Sequence, residues 1–170
     1  MTKTLSIKKA LLYFEYNPEL GKLFWKVDRP YHKCKGLEAG GVDTKGYRRV
    51  KLNRVEYKTH RVIWLMETGR WPKEHLDHIN GVTDDNRFLN LRLATIQENG
   101  KNRKVGSNNR SGFIGVCWEK GKWRSQIFVD GKSVRLGRFP PDFEGMMMAL
   151  AARKNAEDHY GYHKNHGRAL

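Results

Sequence analysis

The sequence predicts an α+β protein made of two modules. Short apolar runs bounded by Gly, Asn or Asp predict strands. Segments that begin with Ser6, Thr59, Thr95 and Asp142 as capping residues predict helices. Residues 101–112 are polar and basic without an apolar period, which predicts a linker. At 170 residues, the chain can hold two small domains.

The first module begins with a helix over residues 7–14, capped by Ser6, with Leu11, Leu12 and Phe14 as its apolar face. A strand follows at residues 22–25, and an irregular segment covers residues 28–45. We then expect a hairpin of residues 46–52 and 55–57 that turns at Asn53-Arg54. Thr59 caps the next helix, which Gly69 ends, and its predicted packing residues are Val62, Ile63, Leu65 and Met66.

Residues 76–103 hold the most informative pattern. Asp77 and His78 should end a strand, because Asn80-Gly81 predicts a tight turn and residues 83–87 are too polar for a core. Asn90 follows within the loop. Thr95 and Glu98 form a capping box, which places Asn99 in the first turn of a helix.

The pattern Asp77-His78, Asn90 and Asn99 resembles the HNH, or ββα-metal, nucleases, and in particular their phage and intron-encoded homing branch. The similarity covers about residues 10–104, with its core at 59–104. The resemblance implies that Asp77 and Asn99 each give one oxygen to Mg²⁺ or Mn²⁺. It also implies that His78 is the general base and that Asn90 orients it. Each residue alone is common in surface loops, whereas the joint spacing favours a site.

The second module should contain strands at residues 113–118, 122–129 and 132–139, with Asp130-Gly131 as a hairpin turn. Asp142 should cap a final helix over residues 143–160. The expected apolar face of this helix consists of Phe143, Met147, Leu150 and Ala151. This three-stranded antiparallel sheet followed by a helix resembles the plant APETALA-type (ethylene-response-factor) DNA-binding domain over residues 111–161.

In that family, the sheet face opposite the helix enters the major groove of DNA. Strand alternation predicts which side chains would lie on this face: Lys122, Arg124, Gln126, Ser133 and Arg135. The chain departs from the family pattern at Ile114, Cys117 and Phe128. Further predicted DNA contacts are Arg61, Arg92, Arg103, Lys104, Arg110 and Arg138.

Composition is consistent with a polyanion partner. The chain has 33 Lys and Arg against 18 Asp and Glu, a net charge of +15, whereas solubility needs only about 2 to 8 charges. Cys34 and Cys117 are the only cysteines and form no metal-binding motif, which favours a reducing compartment. Because no long apolar run or signal peptide is present, we expect no membrane partner.

The resulting hypothesis divides the chain into an HNH nuclease module (1–104), a basic linker (105–112), an APETALA-type module (113–161) and a basic tail (162–170). We expect a metal-dependent endonuclease of the homing type that nicks one strand of double-stranded DNA. It would act as a monomer in the cytoplasm of a bacterial host, be phage-encoded, and select its site largely through the second module. The alternative is a catalytically inactive, sequence-specific DNA-binding regulator. RNA binding is disfavoured, because no stacking platform of a known RNA-binding type is recognisable.

Overall fold

The computed structural model describes residues 4–168 and confirms an α+β protein with several small antiparallel sheets. The chain divides into two compact units between Thr95 and Ile96. Within residues 4–168, no helix combines the length and the apolar character that crossing a bilayer requires. The predicted module boundaries, including the linker at 105–112, stay predictions.

The first unit alternates short helices and strands. Its elements are α1 Ile7–Tyr13, β1 Phe14–Asn17, β2 Lys22–Trp25, β3 Gly41–Val42, β4 Arg48–Leu52, β5 Val55–Lys58, α2 Thr59–Thr68, β6 His75–His78, a 3-10 turn Phe88–Asn90 and β7 Leu91–Ala94. The strands form three antiparallel sheets, β1-β2, β3-β4-β5 and β6-β7.

The core of the first unit is apolar and includes Phe14, Leu23, Val50, Val62 and Ile63. Burial of Val62, Ile63 and Leu65 confirms most of the predicted packing face of α2, and Gly69 ends that helix in a left-handed conformation.

The predicted apolar face of α1 is wrong. Leu11 and Leu12 are 46% and 57% exposed, whereas Ala10 is buried. The reason is that α1 ends at Tyr13, so Phe14 enters the core from β1 and not from the helix.

The second unit contains α3 Ile96–Gly100, β8 Val116–Glu119, β9 Lys122–Val129, β10 Lys132–Phe139 and α4 Phe143–His159. Its antiparallel sheet has the order β10-β9-β8. The bounds of β9 and β10 agree with the prediction, and positive φ angles at Asp130 and Gly131 confirm their tight turn. β8 begins at Val116, later than expected.

The predicted packing face of α4 is wrong. Phe143 is 72% exposed and Met147 is 49% exposed, while the buried stripe contains Gly145, Ala149 and Ala156. Small residues allow close approach of the backbone. At Gly145, a Cβ atom would lie 2.1 Å from the carbonyl oxygen of Pro140.

Residues 101–105 are hydrogen-bonded to residues 163–168, an arrangement that we name the tail pairing. His163 N donates to Lys101 O (3.1 Å), Gly167 N to Arg103 O (2.9 Å) and Arg168 O accepts from Val105 N (3.0 Å). The Lys101 ammonium also donates to the carbonyl of Tyr160 (2.7 Å). Backbone just after α3 is therefore fixed by the end of the second unit.

Candidate active site

The β6-β7 hairpin and its connecting loop, residues 79–90, bring the first group of predicted site residues together. Asp77 pairs with Arg92 and His78 with Leu91. Immediately after β6, Gly81 N donates to His78 O (2.8 Å), which confirms the predicted tight turn. The chain therefore presents Asp77 and His78 at the point where a strand enters an ordered loop.

Asn90 holds the two ends of this loop together. Its Oδ1 accepts from Asn80 N (3.0 Å), and its Nδ2 donates to Asn80 Oδ1 (3.0 Å) and Asp85 O (2.8 Å). Asn90 O also accepts from Ile79 N, the residue after His78 (2.8 Å). These contacts restrain the backbone beside His78. The predicted role of Asn90 in orienting His78 stays a prediction.

Side chains from earlier elements fasten the loop to the first unit. The Tyr16 hydroxyl accepts from Phe88 N (2.8 Å) and donates to Asn86 O (3.4 Å). Arg48 donates from Nε and Nη2 to the two carboxylate oxygens of Asp84, both at 2.9 Å. The loop is thus held by a phenol and a bidentate guanidinium, which favours a single geometry.

His78 is 3% exposed, and its Nε2 lies 3.0 Å from Oδ1 of Asn86. The ring of His60 meets it edge-on at 5.0 Å between centroids, and Tyr47 lies at 6.0 Å. Burial lowers the pKa of His78, although the hydrogen bond to Asn86 and the nearby carboxylates oppose the shift. A neutral imidazole at pH 7 is the form that can accept a proton.

His60 is the second residue of α2 and is 3% exposed. Burial lowers its pKa to about 3, with further contributions from the charges of His78, Lys58 and Arg61. His60 is therefore neutral near pH 7, and its ring packs against the ring of His78.

Asp77 is also buried, with a side chain that is 8% exposed. Arg92 donates to Asp77 Oδ2 from Nη2 (2.9 Å) and Nε (3.1 Å). Arg92 is among the predicted DNA contacts, and the structure places it on this carboxylate. The predicted second metal ligand, Asn99, is exposed on α3 in the other unit.

Within residues 4–168, no group of three or more His, Cys, Asp or Glu side chains is arranged to hold a metal ion. A hard divalent cation such as Mg²⁺ nevertheless fits a sparse donor set. It keeps several waters and binds through one or two protein oxygens together with substrate phosphates. Asp77 supplies a carboxylate oxygen and Asn99 an amide oxygen, and their role as metal ligands stays a prediction.

In the second unit, predicted DNA contacts lie on one face of the sheet. Ser125 and Ile127 are buried, so alternation places Lys122, Arg124 and Gln126 on the opposite face of β9. Ser133 and Arg135 are the register partners of Phe128 and Gln126. Both residues are exposed, as expected for this face.

An irregularity between Arg135 and Gly137 shifts the register, so that Arg138 lies opposite Arg124 and on the same face. Arg124 binds Glu119 Oε1 (2.6 Å), and Arg138 donates to Glu119 O (3.0 Å). Strict alternation would have placed Arg138 on the helix side.

The other predicted DNA contacts are dispersed. Arg61 on α2 donates to the carbonyl of Pro72 (3.2 Å). Arg103, Lys104 and Arg110 are exposed in the segment after α3.

Sequence reasoning missed Asn86. It is 1% exposed and contacts the imidazole of His78, yet it stands in a polar run whose members look alike. Nothing in the local pattern distinguishes this buried amide from the exposed polar residues around it.

Comparison with known proteins finds a similarity in the segment that carries this hairpin. Residues 57–101, which include α2, β6, the loop, β7 and α3, match a family model described as HNH endonuclease. The chain is 36% identical over 78 residues to Protein 3.8 of Escherichia phage T7, a match that covers 44% of this chain and 64% of that protein. The match thus spans just under two thirds of the phage protein, whose name states no activity. No solved structure matches the chain. Residues 57–101 of this chain are therefore similar to the HNH endonuclease family.

Proposed function

We propose that this protein is a metal-dependent DNA endonuclease of the homing type, and that His78 is its general base. The observation that carries the proposal is a buried His78, 3% exposed, directly after Asp77 within the segment that matches the HNH family. The similarity to a phage protein supports a phage-encoded enzyme that acts in the cytoplasm of a bacterial host.

In this mechanism, the imidazole of His78 takes the proton from the attacking water. Its pKa is lowered by burial, so the neutral base predominates at pH 7. Asn90 restrains the backbone on both sides of the turn that follows His78. The chain's own contribution to this step is therefore to hold one basic nitrogen in a fixed position.

The metal would be held by Asp77 and Asn99, with Mg²⁺ or Mn²⁺ as the candidate ion. When bound, such an ion neutralises charge on the phosphate and on the leaving oxygen. Arg92 supports this arrangement, because it fixes Asp77 Oδ2 and thereby the orientation of the carboxylate.

Site selection would belong largely to the second unit. Lys122, Arg124, Gln126, Ser133, Arg135 and Arg138 lie on the sheet face opposite the buried Ser125 and Ile127. Arg and Gln side chains can form bidentate contacts to guanine and adenine. The strand order and following helix support docking like that of the APETALA-type domains. Arg61, Arg103, Lys104 and Arg110 are proposed as phosphate contacts.

A monomer of this enzyme would nick one strand. In-line attack fixes the attacking water, the phosphorus and the leaving oxygen in one direction. The opposite strand is antiparallel, so one His78 and Asp77 pair cannot serve both strands in one binding geometry. The expected product from supercoiled plasmid is therefore the open circle.

The test is cleavage of supercoiled plasmids carrying candidate target sites, with Mg²⁺ and with EDTA. Open circles should appear only with the metal, and His78→Ala should lower the rate by about 100-fold or more. His75→Ala is the matched control, because His75 lies on the same strand but is exposed.

Specific DNA binding without cleavage in any divalent metal would instead establish the inactive regulator. Linear product formed in step with the loss of supercoils, at a rate second order in protein, would indicate a dimer.

A further inference from the structure

The buried amide of Asn86 has an orientation that its surroundings fix. Its Nδ2 donates to the carbonyl of Asp84 (3.2 Å), which can only accept. Oδ1 therefore points away from Asp84 and lies 3.0 Å from Nε2 of His78. Because Asn86 is 1% exposed, water does not compete for this position.

This orientation selects one tautomer of the neutral imidazole. An amide oxygen accepts hydrogen bonds, so Nε2 of His78 must carry the hydrogen, and the basic lone pair lies on Nδ1. The opposite tautomer would bring the Nε2 lone pair against the lone pairs of Oδ1. It would also leave a buried hydrogen bond unmade, at a cost of about 1–3 kcal/mol.

The ring is restrained from other directions as well. The edge of His60 and the ring of Tyr47 border it, and the Tyr16 hydroxyl donates to the backbone oxygen of Asn86 (3.4 Å). Rotation of the His78 ring about χ2 would therefore break its hydrogen bond to Asn86, and the rings of His60 and Tyr47 oppose this rotation sterically.

We propose that Asn86 is the positioning residue of His78: its amide oxygen holds the imidazole in the Nε2–H tautomer and directs Nδ1 toward the attacking water. The catalytic part of this inference rests on the proposed nuclease function. The tautomer part does not, so the two can fail separately.

The first experiment measures the tautomer in the unmodified protein. Long-range ¹H–¹⁵N spectra of ¹⁵N-histidine-labelled protein at pH 8 report which ring nitrogen carries the hydrogen, and His78→Gln assigns the signal. The expected result is the Nε2–H form of His78. An Nδ1–H form, or a mixture of both, would overturn the inference even if the protein had no nuclease activity.

The second experiment is a double-mutant cycle with single-turnover cleavage rates and DNA affinities. Asn86→Leu should lower the rate by about 10- to 100-fold with little change in Kd, and should produce the other tautomer in part. In the His78→Ala background, the same substitution should have no further effect on the rate. An equal loss in both backgrounds would show a purely structural role.

Asn86→Asp is the matched variant, because it keeps an acceptor beside Nε2 and removes the donor to Asp84 O. At pH 8, it should retain the Nε2–H tautomer and a rate within about 10-fold of the unmodified protein. A rate as low as that of Asn86→Leu would contradict positioning through the acceptor. If Asn86→Leu does not fold, the tautomer and Asn86→Asp results decide the question.

Discussion

Arg92 donates both of its hydrogen bonds to Asp77 through the same oxygen, Oδ2, and the two residues are also register partners across β6 and β7. The guanidinium therefore compensates the negative charge of the Asp77 carboxylate, whose side chain is 8% exposed. A residue type that usually contacts DNA phosphates is here part of the hairpin that carries the site.

We predict that Arg92→Ala destabilises the first unit and slows cleavage more than it weakens DNA binding. Loss of the partner of a buried carboxylate should lower the free energy of unfolding by about 1–3 kcal/mol. Urea denaturation, single-turnover rates and the salt dependence of Kd would measure these effects. A fall of about 0.9 in the slope of log K against log salt would instead make Arg92 a phosphate contact.

Acid should destabilise the protein through His60. Its folded-state pKa is about 3, below the ordinary value of 6.5, so the unfolded chain binds a proton that the folded chain does not. The contribution of His60 to the free energy of unfolding is fully present above pH 6.5. It falls by about 1.4 kcal/mol per pH unit as the pH drops from 6.5 toward 3. His60→Phe keeps a ring but cannot be protonated.

Denaturation at pH 7 and pH 5 would test this. Between pH 7 and pH 5, we expect the free energy of unfolding to fall by about 1–2 kcal/mol less in His60→Phe than in the unmodified protein. His75→Gln is the control, because it removes an imidazole that is exposed on β6. Equal acid losses in the His60 variant and the unmodified protein would refute the assignment.

The sheet face of the second unit should contribute to DNA affinity through Arg135 and Arg138. If the side chain contacts a phosphate, its substitution by Ala should reduce the slope of log K against log salt by about 0.9. A side chain that reads a base should instead relax specificity at one position, at a cost of about 1–3 kcal/mol. Lys154→Ala on α4 is the control, because its ammonium lies within reach of Glu157 and Asp158. If Lys154→Ala lowered DNA affinity as much as the substitutions of Arg135 and Arg138 do, the proposal that this sheet face docks on DNA would be contradicted.

Truncation after Gly106 should abolish the proposed nuclease activity without unfolding the first unit. It removes Asp130, which binds Gln97 (2.8 Å), and Tyr160, which binds Lys101, so α3 and the residue after it lose these two contacts. A helix of five residues is not stable alone, and α3 carries the proposed ligand Asn99. Hydrogen exchange at residues 97–101 should become fast, and cleavage should fall by about 100-fold or more.

Arg168→Ala is a milder version of this change, because Arg168 Nη1 donates to Asn102 O (2.6 Å). It should loosen the tail pairing and give an intermediate effect. A truncated protein with normal cleavage would show that α3 does not need the second unit.

Local chemistry explains what could be predicted from the sequence. The tight turn at Asp130-Gly131, the cap at Asp142 and the strand that ends at His78 depend on neighbouring residues, and all three are confirmed. The site residues Asp77, His78, Asn90 and Asn99 were predicted from the resemblance of their pattern to that of the HNH nucleases. Their roles stay predictions.

Longer-range relationships could not be predicted in this way. The buried Asn86, the Arg92 to Asp77 contact and the Gly145 stripe of α4 depend on which surfaces meet. Hydropathy favoured Phe143 and Met147 as packing residues of α4, but close approach at Gly145 selected the small side chains. The position of Arg138 depends on a strand irregularity that the alternating pattern does not reveal.

The tail pairing also sets an order for synthesis and folding. Asn102 and Arg168 are 66 residues apart, so at about 5–20 residues per second the ribosome needs several seconds between them. The partners of the hairpin that carries His78, from Tyr16 to Arg48, have by then been made. A nascent chain can therefore fold its first unit early. The backbone after α3 is held in place only when residues 160–168 have been synthesised and can form their hydrogen bonds to residues 101–105. A ribosome-bound or prematurely terminated chain that contains only the first unit would hold His78 in place but not Asn99. The proposed nuclease site would therefore be complete only after residues 160–168 had been added.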